Sequence, residues 1–217
     1  RGSLSGPVAA ACAVVYAPGH APGHAPGHAP GHSQNCRVSK DCNAVNACLV
    51  SRFRDSKQLG IKMRRELAAE ILAMPGCRQG IGVVNAAEID RINILQASLL
   101  AMKLAVMSLI TDFAWSNLLL PDFILVDGKF KIPLDLPQQA LVKGDSRSAS
   151  IAAASIVAKV RRDAIMADYH LQYPQYNFGR HKGYGTAEHL CLLGEHGPCP
   201  IHRRSFKPVA RGLDPLV

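Results

Sequence analysis

At 217 residues, 48% apolar and 19% charged, the chain is long enough to bury one sizeable core and too apolar for a disordered polymer. No uninterrupted apolar run reaches the roughly 18–20 residues that cross a bilayer; Leu99–Ile110 is the longest candidate, and Lys103 breaks it. The formal charge of +9, with basic residues gathered after Ala158, favours a polyanionic partner.

The elements follow in chain order. Pro7–Tyr16 is a small, β-leaning apolar run and reads as a strand buried on both faces. Ala17–His32 repeats APGH four times. Proline and glycine in every repeat forbid a helix or ladder, so the segment is expected to be an exposed insertion in a hairpin. Its histidines raise a competing reading, a histidine-rich metal-handling protein, which predicts zinc or nickel binding that disappears when the repeats are deleted. Cys36, Cys42 and Cys48 are evenly spaced, but none of the seven cysteines forms a CxxC pair, so they read as reduced cytosolic thiols. Asp55-Ser56-Lys57 lies in a loop before a helix at Ile61–Met74. A short strand is expected at Gly80–Asn85 and a long apolar helix, interior to the fold, at Ile92–Ile110. Phe123–Val126 is a buried strand stopping at Asp127-Gly128, with further short strands at Phe130–Ile132 and Ala140–Val142. Ser148–Met166 is an alanine-rich helix. Thr186–Glu195 is a last helix with Thr186 as N-cap, and a basic tail follows. Strands alternating with helices indicate an α/β fold.

Two carboxylates stand out by position. Asp127 ends a buried strand, where a charge must be paired or bind a metal to offset desolvation; an aspartate opening a turn with Gly128 is the plainer alternative. Asp145 follows Val142-Lys143-Gly144 and precedes a helix, where capping is the plainer alternative. A two-metal nuclease brings several carboxylates together on its ions, and two are too few for that.

The blocks LVDG (Leu125–Gly128), KGDSRSASIAAASIVAKVRRD (Lys143–Asp163), HKGYGT (His181–Thr186) and HRRSF (His202–Phe206) resemble the successive signature blocks of bacterial ribonuclease HII, a type 2 ribonuclease H. DSKQL (Asp55–Leu59) and EIDRINILQASLLAM (Glu88–Met102) match further blocks in the right order, leaving out only the APGH region and the cysteine-bearing stretch after it. The resemblance implies a ribonuclease H-like mixed sheet flanked by helices, in a core spanning 1–175 that contains the 17–48 insertion and variable loop, and a small, basic, helical extension at 176–217. It also implies a catalytic quartet: an Asp-Glu pair from the first strand and two later aspartates, which fall on Asp127 and Asp145. The family motif Asp-Glu-x-Gly-Arg-Gly ends where this chain opens, at Arg1-Gly2. The first central strand and its acidic pair are therefore expected ahead of residue 1, and the chain without them is expected to be inactive and marginally folded.

By the same resemblance, Arg1 and Gly2 belong to the loop that reads the ribonucleotide through its 2′-OH, the group that tells RNA from DNA. Tyr184 is implied to stack on the sugar beside the scissile phosphate, the plainer alternative being a core aromatic. Ser56, Lys57, Lys143 and Lys182 are implied to hold phosphates, contacts that position without reading sequence. Arg203 and Arg204 read as additional basic surface. Asp163, late in its helix, is expected to pair with a neighbouring arginine. The implied activity is endonucleolytic hydrolysis of the RNA strand of RNA–DNA hybrids and incision 5′ of ribonucleotides embedded in duplex DNA, leaving 3′-hydroxyl and 5′-phosphate ends. The implied cofactor is Mg2+ or Mn2+ in a two-metal site. A non-catalytic hybrid-binding remnant of the same fold is the alternative. The chain is expected to be a cytoplasmic monomer without membrane association.

Overall fold

The computed structural model describes residues 3–15, 53, 60–73, 77–115, 121 and 123–211. Arg1, Gly2, the APGH repeats, Cys36, Cys42, Cys48 and the Asp55-Ser56-Lys57 loop lie outside the described residues.

Strand β1 (Val8–Val15) pairs antiparallel with β2 (Cys77–Val84), in a register running from Val8 opposite Val84 to Val15 opposite Cys77. The two are not joined as a simple hairpin: helix α1 (Ile61–Ala73) lies between them in the chain. Helix α2 (Ala86–Trp115) packs on this ladder. Its contact face is a stripe of Ala97, Ala101, Ala105 and Leu109 at four-residue spacing, all fully buried. Opposite them stand glycines. A Cβ at Gly82 would lie 1.9 Å from the Ala101 carbonyl oxygen, and one at Gly80 would lie 2.0 Å from that of Ala105. Alanine on the helix and glycine on the strand thus let two backbones approach more closely than larger residues allow.

Two expectations for α2 change. The helix starts at Ala86, earlier than Ile92, because Asn85 caps a first short segment by accepting the Glu88 N–H at 2.8 Å. Asn93 then leaves helical geometry (φ 67°), and its side chain caps the second segment by accepting from the N–H groups of Leu95 and Gln96. Nor is the helix interior all round, since Ile94, Leu95, Leu104 and Met107 are exposed. The segment Ala86–Thr111 is long and apolar enough, by length and composition, to cross a membrane, because Lys103 alone does not interrupt it. A core helix built this way passes the same test, and the alanine stripe is used on β1 and β2.

Strand β3 (Ile124–Asp127) runs parallel to β4 (Gln138–Leu141), with Asp127 opposite Leu141. The strand expected at Phe130–Ile132 does not form. Gln138 takes the place of a neighbouring strand there: its side-chain amide accepts from the Ile132 N–H at 2.9 Å and donates to the carbonyls of Ile132 and Leu134. Among the described residues the strands make two separate ladders, one antiparallel and one parallel. Helix α3 (Ala149–Gln172) packs against β1 of the first and β3 of the second. Its small face, with Ala149, Ala152, Ala153, Ile156 and Val157, shares a core with Leu67, Ala68 and Ile71 of α1. Asp163 is buried in α3, where Lys159 Nζ donates to it at 2.6 Å and Arg64 lies at 3.7 Å.

After α3 the chain forms a 3-10 turn at Pro174–Tyr176 and three short helices, α4 (Phe178–His181), α5 (Ala187–His196) and α6 (Lys207–Arg211). Met166 of α3 joins Tyr176, Phe178, Cys199 and Ile201 in their core. Thr186 caps α5 as expected, accepting from the His189 N–H at 3.2 Å.

Candidate active site

Parallel pairing puts the C-terminal ends of β3 and β4 at the same edge, and the two singled-out aspartates follow from that edge. Asp127 is the last residue of β3, and the Gly128 N–H donates to the Leu141 carbonyl, closing the pair. Beyond Leu141 the chain turns through Lys143, which sits in the left-handed region at φ 55°. This brings the Gly144 N–H to 2.9 Å from Asp127 Oδ1. Asp145 is the next residue, inside the 3-10 turn Gly144–Ser146. The bond orients the Asp127 carboxylate and ties it to the peptide one residue along the chain from Asp145. Gly144 leaves little choice of residue, because a Cβ there would stand 2.6 Å from Ile151 and 3.2 Å from Asp127 Oδ1. Ser148 then caps α3, accepting from the Ile151 N–H at 3.5 Å, so the capping role open to Asp145 is taken by a serine three residues on. Among the described residues no three His, Cys, Asp or Glu side chains converge as a metal site.

A second cluster joins residues about 180 positions apart. Ser3 bridges antiparallel to Tyr184, and the N–H groups of Leu4 and Ser5 both donate to the Gly183 carbonyl, at 2.8 and 3.3 Å. Two arginines bind the same segment. Arg203 donates from Nε to the Gly6 carbonyl and from Nη1 to the Ser3 carbonyl, both at 3.0 Å. Arg162, half-buried on α3, donates to the Ser3 hydroxyl at 2.7 Å and to the Lys182 carbonyl at 3.1 Å. Tyr184 is 42% exposed, which excludes a core aromatic. Lys159 Nζ and the Arg162 guanidinium lie 5.3 and 5.4 Å from its ring centre, as cation–π partners. Lys182, like Lys143, is left-handed, at φ 50°. Two residues expected to hold phosphates are thus among the four non-glycine residues of positive φ found in the described chain. Such strain, about 1–3 kcal/mol per residue, collects at functional sites.

Beneath the turn lies a chain of neutral histidines. His189 Nδ1 meets the Tyr184 carbonyl at 2.9 Å and must carry the proton there, which leaves Nε2 as an acceptor. Nε2 accepts from His202 Nε2 at 3.0 Å, and His202 Nδ1 in turn accepts from the Cys199 N–H at 3.0 Å. His181 donates from Nε2 to the Tyr176 carbonyl and accepts the Gly183 N–H on Nδ1. Every ring nitrogen of the three is used with each imidazole neutral. Burial is the main cause that holds His189 and His202 down to about 4, and it lowers His181 as well.

The structure therefore links positions 127 and 145 through the Gly144 N–H, with Lys143 on the turn between them, and sets Lys182 and Tyr184 on the turn that Ser3 bridges. Arg1, Gly2, Ser56 and Lys57 lie outside the described residues. Arg203 needs correction: it is 3% exposed and not part of the basic surface. Carbonyls of the Ser3–Pro7 segment take its donors, and burial lowers its pKa to about 10. Its neighbour Arg204 is exposed. Arg162, His189 and His202 were not singled out from the sequence, though all lie within or beside the matched blocks. Cys77, Cys191 and Cys199 are free thiols.

Residues 45–209 match the family described as Ribonuclease HII. The ribonuclease HII of Desulfotalea psychrophila is 56% identical over 162 residues, which is 75% of this chain and 69% of that protein. That of Rhodospirillum rubrum is 43% identical over 213 residues, 98% of this chain and 83% of its own length. Among solved structures, the ribonuclease H2 from Pyrococcus horikoshii OT3 is similar with a TM-score of 0.63 at 21% identity, over 98% of this chain and 92% of that one. A chain of the PCNA:RNase HII complex from Archaeoglobus fulgidus gives 0.59 at 21% identity, with the same coverage. The structural likeness establishes the α/β fold, the sequence identities establish the kinship, and this chain belongs to the ribonuclease HII family.

Proposed function

We propose that Asp127 and Asp145 are two of the carboxylates with which this ribonuclease HII hydrolyses the RNA strand of RNA–DNA hybrids. The observation that carries the assignment is the Gly144 N–H bond to Asp127 Oδ1, which ties the two acidic positions together at the common C-terminal edge of two parallel strands. Carboxylate oxygens are hard donors and suit Mg2+ or Mn2+. Two of them are part of a ligand set, which the family's Asp-Glu pair would complete. Bound there, divalent cations would supply an activated water and offset the charge on the departing oxygen. The chain's own residues have separate tasks. Asp127 accepts a backbone N–H on Oδ1, which reduces the conformational freedom lost when a cation arrives. Lys143 and Lys182, both on turns of positive φ, would hold phosphates of the substrate backbone. Tyr184 presents an exposed ring for stacking on a sugar, flanked by the cations of Lys159 and Arg162. Arg1 and Gly2 would read the 2′-OH, and Ser56 with Lys57 would hold further phosphate.

The finer reading is incision 5′ of a ribonucleotide embedded in duplex DNA, leaving a 3′-hydroxyl and a 5′-phosphate. It is tested with the full-length protein on an end-labelled duplex carrying one ribonucleotide, in Mg2+ or Mn2+. A single product ending in 3′-hydroxyl deoxynucleotide supports it. A product ending on the ribonucleotide's 3′ side, or carrying a cyclic phosphate, would rule it out.

A further inference from the structure

Three features have no assigned part in the reaction itself: the apolar outer face of α2, the histidine chain, and the arginine that joins two distant segments of the protein. The third carries an inference. We propose that Arg162 is a positioning residue for ribonucleotide recognition, fastening the Ser3–Pro7 segment to the Lys182–Tyr184 turn so that the two substrate-reading elements move as one body. The inference rests on the reading of Arg1, Gly2 and Tyr184 given above.

The geometry of the guanidinium is the argument. Nε donates to the Pro7 carbonyl at 3.3 Å, Nη1 to the Lys182 carbonyl at 3.1 Å, and Nη2 to the Ser3 hydroxyl at 2.7 Å and the Ser5 carbonyl at 3.3 Å. All three nitrogens are thus spent on the protein itself, on two segments separated by most of the chain. Its carbon also lies 5.4 Å from the Tyr184 ring centre. An arginine placed to grip phosphate would keep donors pointing outward; this one is turned inward, and burial lowers its pKa. Desolvating a cation to bind carbonyls is a costly way to fill space. It is effective where a planar fork must fix several acceptors in one orientation.

What it fixes matters for recognition. Ser3 directly follows Arg1-Gly2, and the Lys182 carbonyl belongs to a left-handed residue two positions before Tyr184. Arg203 holds carbonyls of the same segment, those of Ser3, Gly6 and Pro7, but it makes its cation–π contact with Phe206 rather than Tyr184. Arg162 alone among these two reaches both segments. Lysine cannot replace it, because one ammonium cannot span acceptors that three nitrogens of a rigid plane now reach.

The test is equilibrium binding by fluorescence anisotropy with the full-length protein in EDTA, so that nothing is cut. Two probes are compared: a DNA duplex with one embedded ribonucleotide and the all-DNA duplex of the same sequence. Wild type should prefer the first. Arg162→Lys and Arg162→Ala should lose about tenfold of that preference while affinity for the all-DNA duplex changes by less than about threefold. Ser3→Ala, which removes one buried hydroxyl, should show the same loss in milder form with a smaller drop in thermal midpoint than Arg162→Ala. In a double-mutant cycle, Tyr184→Ala should cost less in the Arg162→Ala background than in wild type, because both act on one element. Retained preference in the Arg162 variants, or equal loss of affinity for both probes, would overturn the positioning role. A wild-type protein without preference would instead overturn the reading of the surface on which this inference rests.

Discussion

Acidification should unfold the C-terminal part of this protein through His189 and His202. Both rings are fully buried, both are neutral in the bonding pattern, and their nitrogens have no lone pair to spare. Adding a proton to His189 Nε2 sets two N–H groups against each other across 3.0 Å; adding one to His202 Nδ1 does the same against the Cys199 N–H. The folded values stand at about 4 against the ordinary 6.5. The unfolded chain therefore binds more protons between those limits, so stability is fully present above pH 6.5 and is lost as pH falls through it toward 4. At about 1.4 kcal/mol per unit, one proton taken up on unfolding removes about 3 kcal/mol. The two rings share one hydrogen bond, so the pair takes up one proton as that bond breaks. That is a large share of the 5–15 kcal/mol typical of a folded domain. Urea unfolding at pH 7.5, 6.0, 5.0 and 4.5 should show a midpoint falling by about 1 M across the series. His202→Gln isolates the histidine contribution: it should be less stable at pH 7.5 and show a shallower decline. An equally steep decline in wild type and His202→Gln would refute the assignment.

Other outcomes follow from the packing and the cap. Gly82→Ala places a methyl where the Ala101 carbonyl oxygen now lies 1.9 Å away, so α2 must move off β2; calorimetry should register a loss of about 3 kcal/mol. Thr186→Ala removes the acceptor for the His189 N–H and should cost about 1 kcal/mol, whereas Thr186→Ser should be near neutral in the same denaturation assay.

Some of this was legible in the residues and some was not, for physical reasons. Strand β3 could be located because four apolar residues run into Asp127-Gly128, but it is buried on one face only: Leu125 and Asp127 are exposed, so desolvation alone does not demand a partner for that charge. Thr186 could be read as a cap because capping is local. The kink at Asn93 was missed because an asparagine within an apolar helix looks like one polar residue; its capping of Leu95 and Gln96 appears only in three dimensions. Phe130–Ile132 has the composition of a strand, but the partner it would need is replaced by one glutamine side chain. Arg203 and Arg204 are indistinguishable in sequence. What buries the first is a set of carbonyls from the opposite end of the chain. The aspartates at 127 and 145 were each ambiguous alone, and it is the peptide of Gly144 that joins them.

The central claim, that Asp127 and Asp145 hold divalent cations, is tested most directly by Mn2+ binding, read from the electron paramagnetic resonance of the free ion. The proteins to compare are full-length wild type, Asp127→Asn and Asp145→Asn. Asparagine at 127 keeps an oxygen to accept the Gly144 N–H and removes only the charge, so the fold should persist while the cation is lost. The account predicts that each variant binds Mn2+ at least about tenfold more weakly than wild type, with a thermal midpoint little changed. Wild-type affinity in both variants would contradict it, and would place the metal of this nuclease elsewhere in the chain.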